Sequence, residues 1–243
     1  MKTGRRQLLK GIAALGLLRP SRARAGGVTG PFALRGVTPE LDLAFEGVEA
    51  PVRLAGVYLP AGQGAVALLR ETLAGGAFLA DGGFVDRWGR RVALVEDARG
   101  ASVQAALLGA GLALVDPTFG PVGPGWPAAE RRARAGGGGL WRDPGRVLRP
   151  AADAWPLVGA FGIVRGVPVR AKARSVFTYV DFAADWRDGC SLRAETKAAR
   201  AFLKAGLDLG ALPGRSIEAR GWAFRAGGPM IEVVVPGQIE VVA

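Results

Sequence analysis

Twice along this chain, three segments of alternating apolar and polar residues give way to a helix-period stretch and then to further alternating segments. Period two sends successive side chains to opposite faces of a strand, and period 3.6 gathers them on one side of a helix. In the first round "FALRGV", "LDLAFEG" and "APVRLAGVYL" alternate within residues 32–60. "GQGAVALLRETLAGG" then aligns Val66, Leu69 and Leu73 on one helical face. Turn signals at Asp81-Gly82-Gly83 and Trp88-Gly89 predict a hairpin. "ASVQAALLGAGLALV" predicts a second helix with a following apolar segment. Pro127 opens a third helix in a first-turn position, where its missing N–H costs nothing, and a glycine run ends it.

The second round reads "LVGAFGIVRGV", "VPVRAKARSVFTYVDFA" and "GCSLRAET" as strands, with a helix from Lys197 to Gly206 capped by that glycine. "GRSIEARGWAF" and "PMIEVVVP" supply two more strands. Three strands, a helix and two strands is the order of a five-stranded Greek-key OB barrel. The expected fold class is therefore β-rich α+β: tandem OB-fold-like five-stranded Greek-key barrels, the first with extra C-terminal helices. Arg142 to Pro156 is rich in proline and charge and lacks periodicity, so a linker is expected there. The expected domains are residues 28–143 and 157–243, joined by 144–156.

Composition narrows the chemistry. Histidine is absent, which removes a His general base, the Ser-His and Cys-His dyads and any His-containing zinc site. Cys190 is the single cysteine, so neither an intramolecular disulfide nor a cysteine-cluster metal site is available, and a plain buried residue is expected. The first 25 residues place Arg5-Arg6 before Gln7-Leu8-Leu9-Lys10, then a short apolar run from Gly11 to Leu18, then Ala23-Arg24-Ala25. A charged start, an apolar core and an A-x-A site form an export signal. The paired arginines resemble a twin-arginine signal and imply a periplasmic or secreted protein. The other reading of these residues is a basic amphipathic start to the fold. The apolar run is too short to span a bilayer, so no membrane span is expected in the mature chain. Of the net charge of +11, seven positive charges lie in residues 1–25, leaving about +4 without them. That mild excess permits contact with nucleic acid or an anionic surface without demanding it.

Residues 32–143 resemble the thermonuclease-like (micrococcal-nuclease-type) family. Four stretches carry the resemblance in order: "VRLAGVYLP", "DRWGRRVALV" from Asp86 to Val95, "VQAALLGAGLALV", and "AAERRARAGGGGLW" from Ala128 to Trp141. The resemblance implies phosphodiester hydrolysis with Ca²⁺, carboxylates and two arginines. A hard cation takes oxygen ligands, a carboxylate activates water, and guanidinium forks neutralise the charge that builds on phosphorus-bound oxygens. The arginines carry over as Arg53 and Arg90. The acids do not. Tyr58 stands at the place of a metal-binding Asp and Ala61 at that of the catalytic Glu. Aligning the family's D-G-D-T turn with Val37-Thr38-Pro39-Glu40 puts Pro39 where the other metal-binding Asp belongs, with Glu40 adjacent. Loss of one positioned base costs ~10² to 10⁴ in rate, and loss of the metal cage removes the Lewis acid as well. No intact catalytic set, no metal site and no cofactor are therefore expected, with Ca²⁺ required only if the chemistry survives. A relocated acid would come from Asp86, Asp97 or Glu71.

The retained arginines have two readings. Arg53, Arg87 and Arg90 with Trp88 form an anion cradle, or Arg53 and Arg90 are structural partners of Asp86 and of backbone carbonyls. Tyr58 is expected to fill the vacated metal space against an arginine. In the second round Phe177 and Tyr179 share a strand face, followed by Phe182 and Trp186. Either this face stacks nucleobases, with Arg187 and Arg174 on phosphates, or it is barrel core capped by Trp186. The stretch also resembles C-terminal OB-like segments that accompany thermonuclease-like domains in exported bacterial proteins. The expected function is an exported binding or interaction module without nuclease chemistry, for single-stranded nucleic acid, another polyanion such as a glycan, or a protein partner. The alternatives are an active or weak phosphodiesterase with relocated carboxylates, and a structural envelope protein.

Overall fold

A computed structural model describes residues 29–60 and 62–242. The expected export signal and Ala61 lie outside the described residues. The chain is a β-rich α+β protein with two multi-stranded sheets and a few short helices.

The N-terminal sheet holds β1 (Thr29–Phe32), β2 (Leu34–Val37), β3 (Leu43–Phe45), β4 (Val52–Leu54), β6 (Ala77–Val85) and β7 (Arg91–Asp97). Its order is β1-β6-β7-β4-β3-β2, an open path in which β4 and β7 run parallel and the other neighbours antiparallel. The short β5 (Val57–Tyr58) pairs instead with β8 (Leu114–Val115). Alternation decides which side chains enter the core. On β4, Val52 and Leu54 are buried and Arg53 points the other way. Helices α1 (Gln63–Thr72) and α2 (Val103–Gly109) close the core, α1 contributing Ala65 and Leu69, and Leu73 just beyond its end. Ser102 caps α2 by accepting from the Ala105 amide. Gln104 on the same helix is fully buried, and its side chain completes the ladder by accepting from Val95 and donating to Ala93. Helix α3 (Trp126–Ala135) carries Pro127 in its first turn, as expected.

The C-terminal sheet is built on β10 (Phe161–Gly166), β11 (Arg170–Ala173), β12 (Phe177–Asp181), β13 (Ser191–Glu195), β14 (Ile217–Ala226) and β15 (Gly228–Glu232). They run in the order β11-β12-β13-β15-β14-β10, with β13 and β15 parallel. Strand β16 (Ile239–Val241) joins β14, and α4 (Thr196–Lys204) covers one end, Phe202 fully buried beneath it. Gly206 follows α4 at φ 83°, the left-handed ending expected of it.

The segment expected as a linker is folded. Short 3₁₀ turns punctuate residues 139–157, and β9 (Leu148–Pro150) pairs in parallel with β10. Trp141, Val147, Ala151, Ala154 and Leu157 are buried. Proline and charge describe a segment rich in turns; the apolar residues interleaved among them are what hold it against the sheet.

The two sheets share an interface. Leu114, Ala133 and Trp141 pack in one apolar cluster with Phe161 and Ile163. Arg220 of β14 meets Glu130 of α3 at 2.9 Å and donates to the Val115 carbonyl at 3.1 Å, while Glu130 accepts from the Val115 amide. Glu218, also on β14, accepts from Arg134 of α3 at 2.8 Å. Each buried charge is thereby paired, as burial requires.

Candidate functional site

The sheet geometry places Arg53, Arg87, Trp88 and Arg90 around one cleft of about 1020 Å³. Arg53 faces it because it is the outward residue of β4. The other three come from the tip between β6 and β7. There the Asp86 carboxylate accepts from the Trp88 and Arg90 amides at 2.9 and 3.0 Å, closing the turn, and Gly89 takes φ 75°. The guanidinium of Arg87 lies 4.0 Å from the Trp88 ring centre and that of Arg90 4.8 Å from it. Trp88 is 61% exposed.

Both arginines that match the resemblance are engaged by carboxylates. Asp42, buried at the end of the turn before β3, lies 3.1 Å from Nη1 of Arg53 and 3.1 Å from Nη1 of Arg90. Arg90 also binds Asp86 through Nη2 at 2.6 Å and Nε at 2.7 Å. Arg53 donates in addition to the Glu40 carbonyl. Burial raises the Asp86 carboxyl pKa, but the hydrogen bonds from Arg90 and the turn amides prevail and hold it below the ordinary carboxylate range. Arg90 is held above its usual value by the same pairing, against the opposing effect of burial.

Asp42 corrects the sequence-based expectation. Pro39 sits in the exposed turn and faces no site; the acid that reaches the arginines is Asp42, three residues on. Leu41 between Glu40 and Asp42 adopts φ 65°, a left-handed conformation that favours glycine. The turn is held by Thr38, whose carbonyl accepts from Leu41 and whose hydroxyl accepts from the Asp42 amide. An acid-x-acid spacing ahead of a strand is the signal in the sequence, hidden because a leucine occupies the turn position.

Tyr58 also departs from expectation. Its ring stacks on Phe161 at 4.8 Å and meets Trp222 edge-on at 5.5 Å, so it packs on aromatics of the other sheet rather than on an arginine. Burial pushes its hydroxyl pKa up, against the opposing charge of Arg53. Of the acids considered for a relocated site, Asp86 is committed to Arg90, Asp97 closes the turn to Ala101, and Glu71 is exposed on α1. Among the described residues, no three His, Cys, Asp or Glu side chains are grouped to hold a metal ion. The donor set of this cleft does not fit the calcium ion the resemblance implies: Asp42 already faces two cations and a phenol replaces an acid.

Phe177, Tyr179, Trp186 and Arg187 lie apart from this cleft, on the C-terminal sheet. Phe177 and Tyr179 are half-buried, their ring centres 6.0 Å apart, and alternation turns them away from the face of the buried Val180. They are therefore not core. Tyr179 and Trp186 line a second cleft of about 330 Å³. Trp186 packs against the turn between β14 and β15, where a Cβ on Gly227 would come within 2.2 Å of its ring. Arg187 lies over the same indole at 4.4 Å and pairs with Asp185 at 3.5 Å. The cleft also holds Arg170, Lys172 and Arg193, which the sequence did not single out, and Arg174, which it did. For Arg170, Lys172 and Arg174 the signal is a cation at every second residue in "VRAKAR".

Cys190 is fully buried with its thiol pKa pushed up to about 12 by that burial, an inert residue as expected. Among the described residues no helix is long and apolar enough to cross a membrane. No protein-family model and no curated protein sequence matches the chain.

Proposed function

We propose that this chain is an exported, thermonuclease-like protein that has lost phosphodiester-cleaving chemistry and works as a binding module for an anionic polymer. In this reading both sheets are OB-type. The support is the pairing pattern: β1 and β2, separated by Ala33 alone, pair with β6 and β3 at opposite ends of the N-terminal path. Strands β10 and β11 likewise pair with different strands, β14 and β12, on opposite sides of the parallel pair β13-β15, with β9 added beyond β10.

The observation that carries the loss of chemistry is Asp42 closing on both arginines. A guanidinium that stabilises a phosphoryl transition state must be free to meet the oxygens on which charge develops. Here that charge is already supplied by the protein. Tyr58, at the place of a metal-binding acid, serves the contact between the two sheets. The test is a cleavage assay with calcium on single-stranded and duplex DNA. No turnover above buffer is expected. Turnover abolished both by chelation and by Arg53→Ala would overturn the reading.

A further inference from the structure

We propose that the outward face of β11, β12 and β13 is a cleft for single-stranded nucleic acid, in which Lys172 and Arg174 hold phosphates and Tyr179 stacks a base. The proposal rests on the reading of the chain as a binding module and assigns it a site and a ligand class.

Strand geometry makes the site. Residues 170, 172 and 174 point to one face at a spacing of about 7 Å. A row of evenly spaced cations suits a polymer of evenly spaced anions. Across the sheet, Lys172 is in register with Tyr179, and Tyr179 with Arg193, so the phenol ring stands between two cations. The cations are not equivalent. Arg170 is bound by Asp181 at 2.7 Å, and Arg193 by Glu232 at 3.2 Å. Arg193 is further held between the rings of Phe177 and Phe224, at 4.8 and 5.1 Å. Lys172 and Arg174 are exposed and have no ion-pair partner among the described residues. They are the charges left for a ligand, whereas in the larger cleft Arg53 and Arg90 are neutralised by Asp42 and Asp86.

The aromatic component favours a single strand. A ring set among cations is reached by an unstacked base and not by one enclosed in a duplex. A sulfated glycan would be held chiefly by the cations. About 330 Å³ is room for one base with its phosphate, so neighbouring nucleotides would follow the cation row.

Fluorescence anisotropy of the full chain with a labelled oligothymidylate tests the site, with circular dichroism confirming the fold of each variant. The double variant Lys172→Gln/Arg174→Gln is expected to flatten the dependence of log affinity on log salt by about 1.4, two phosphates at ~0.7 each. Tyr179→Leu is expected to weaken binding about 5- to 150-fold, the range of one lost base stack, with the salt slope unchanged. Binding by wild type that ignores both sets of substitutions overturns the cleft and leaves the module reading standing. Equal affinity for heparin, with Tyr179→Leu silent, overturns the choice of nucleic acid. Wild type that binds neither polymer at low salt overturns the cleft and the module together. Turnover in the cleavage assay strikes only the proposed loss of chemistry.

Discussion

Two aspartates near the first cleft are shifted in opposite directions, and their surroundings explain the difference. Asp86 is half-buried and receives three kinds of help: the Arg90 side chain, the Arg90 amide and the Trp88 amide, which together leave its pKa depressed. Asp116 is buried and receives only Thr118 and the charge of Arg220, so burial wins and its pKa is raised. The signs for stability are therefore opposite. Asp86 contributes stability that is fully present above the unfolded value of about 4 and is lost as pH falls through its lower folded value. Asp116 resists ionisation in the fold, so its contribution declines as pH rises from about 4 through its raised folded value. In urea titrations between acid and neutral pH, Asp86→Asn is expected to remove part of the acid-side loss. Asp116→Asn is expected to remove a loss on the neutral side. A parallel response of the two variants would contradict both assignments. These directions were not legible in the sequence, where both residues are acids next to turns.

At the scale of elements, the contact of α3 with β14 is the most exposed to test. Arg220 and Glu130 are both buried and each holds the other as well as the backbone of Val115. Removing one partner leaves an uncompensated buried charge, which typically costs about 3–5 kcal/mol. Glu130→Ala is expected to lose that much in denaturant unfolding. Glu130→Leu combined with Arg220→Met is expected to recover most of it, because an apolar pair carries no stranded charge. If the double variant were as unstable as the single one, packing rather than charge would hold the contact. The sequence made α3 legible through Pro127 and the closing glycines. It did not reveal that the helix faces a second sheet, since Glu130 has the same appearance in a sequence whether solvated or buried.

For the whole molecule, Tyr58 is the residue that changes meaning. It sits just beyond the strand that carries Arg53, and its stack with Phe161 ties the N-terminal sheet to the C-terminal one. The folded segment between the sheets adds Trp141 and Val147 to the same cluster. Two bodies joined in this way unfold together. Wild type is expected to show one cooperative transition, monitored by tryptophan fluorescence and by circular dichroism. Tyr58→Ala is expected to cost ~2–3 kcal/mol, somewhat below full truncation of a core aromatic because the ring is half-buried. Separation of the two signals in that variant would identify the stack as the coupling contact. Two separate transitions in wild type would show that the sheets are not coupled.

The sequence alone determined the features that local periodicity dictates. Alternation put Val52 and Leu54 inside and Arg53 outside, glycine and proline marked the turns, and the order of strands and helices came from both. Missing histidine and a single cysteine limited the chemistry whatever the fold. Tertiary structure alone decided the partnerships. Whether Arg53 is a free cation or one closed by Asp42 depends on a turn in which Leu41 takes a glycine-like conformation, and whether Tyr58 faces a cavity or Phe161 depends on a sheet more than a hundred residues away. Local propensity acts through neighbours in the chain. Charge pairing and aromatic packing act through space, so their outcome appears only when distant segments are brought together.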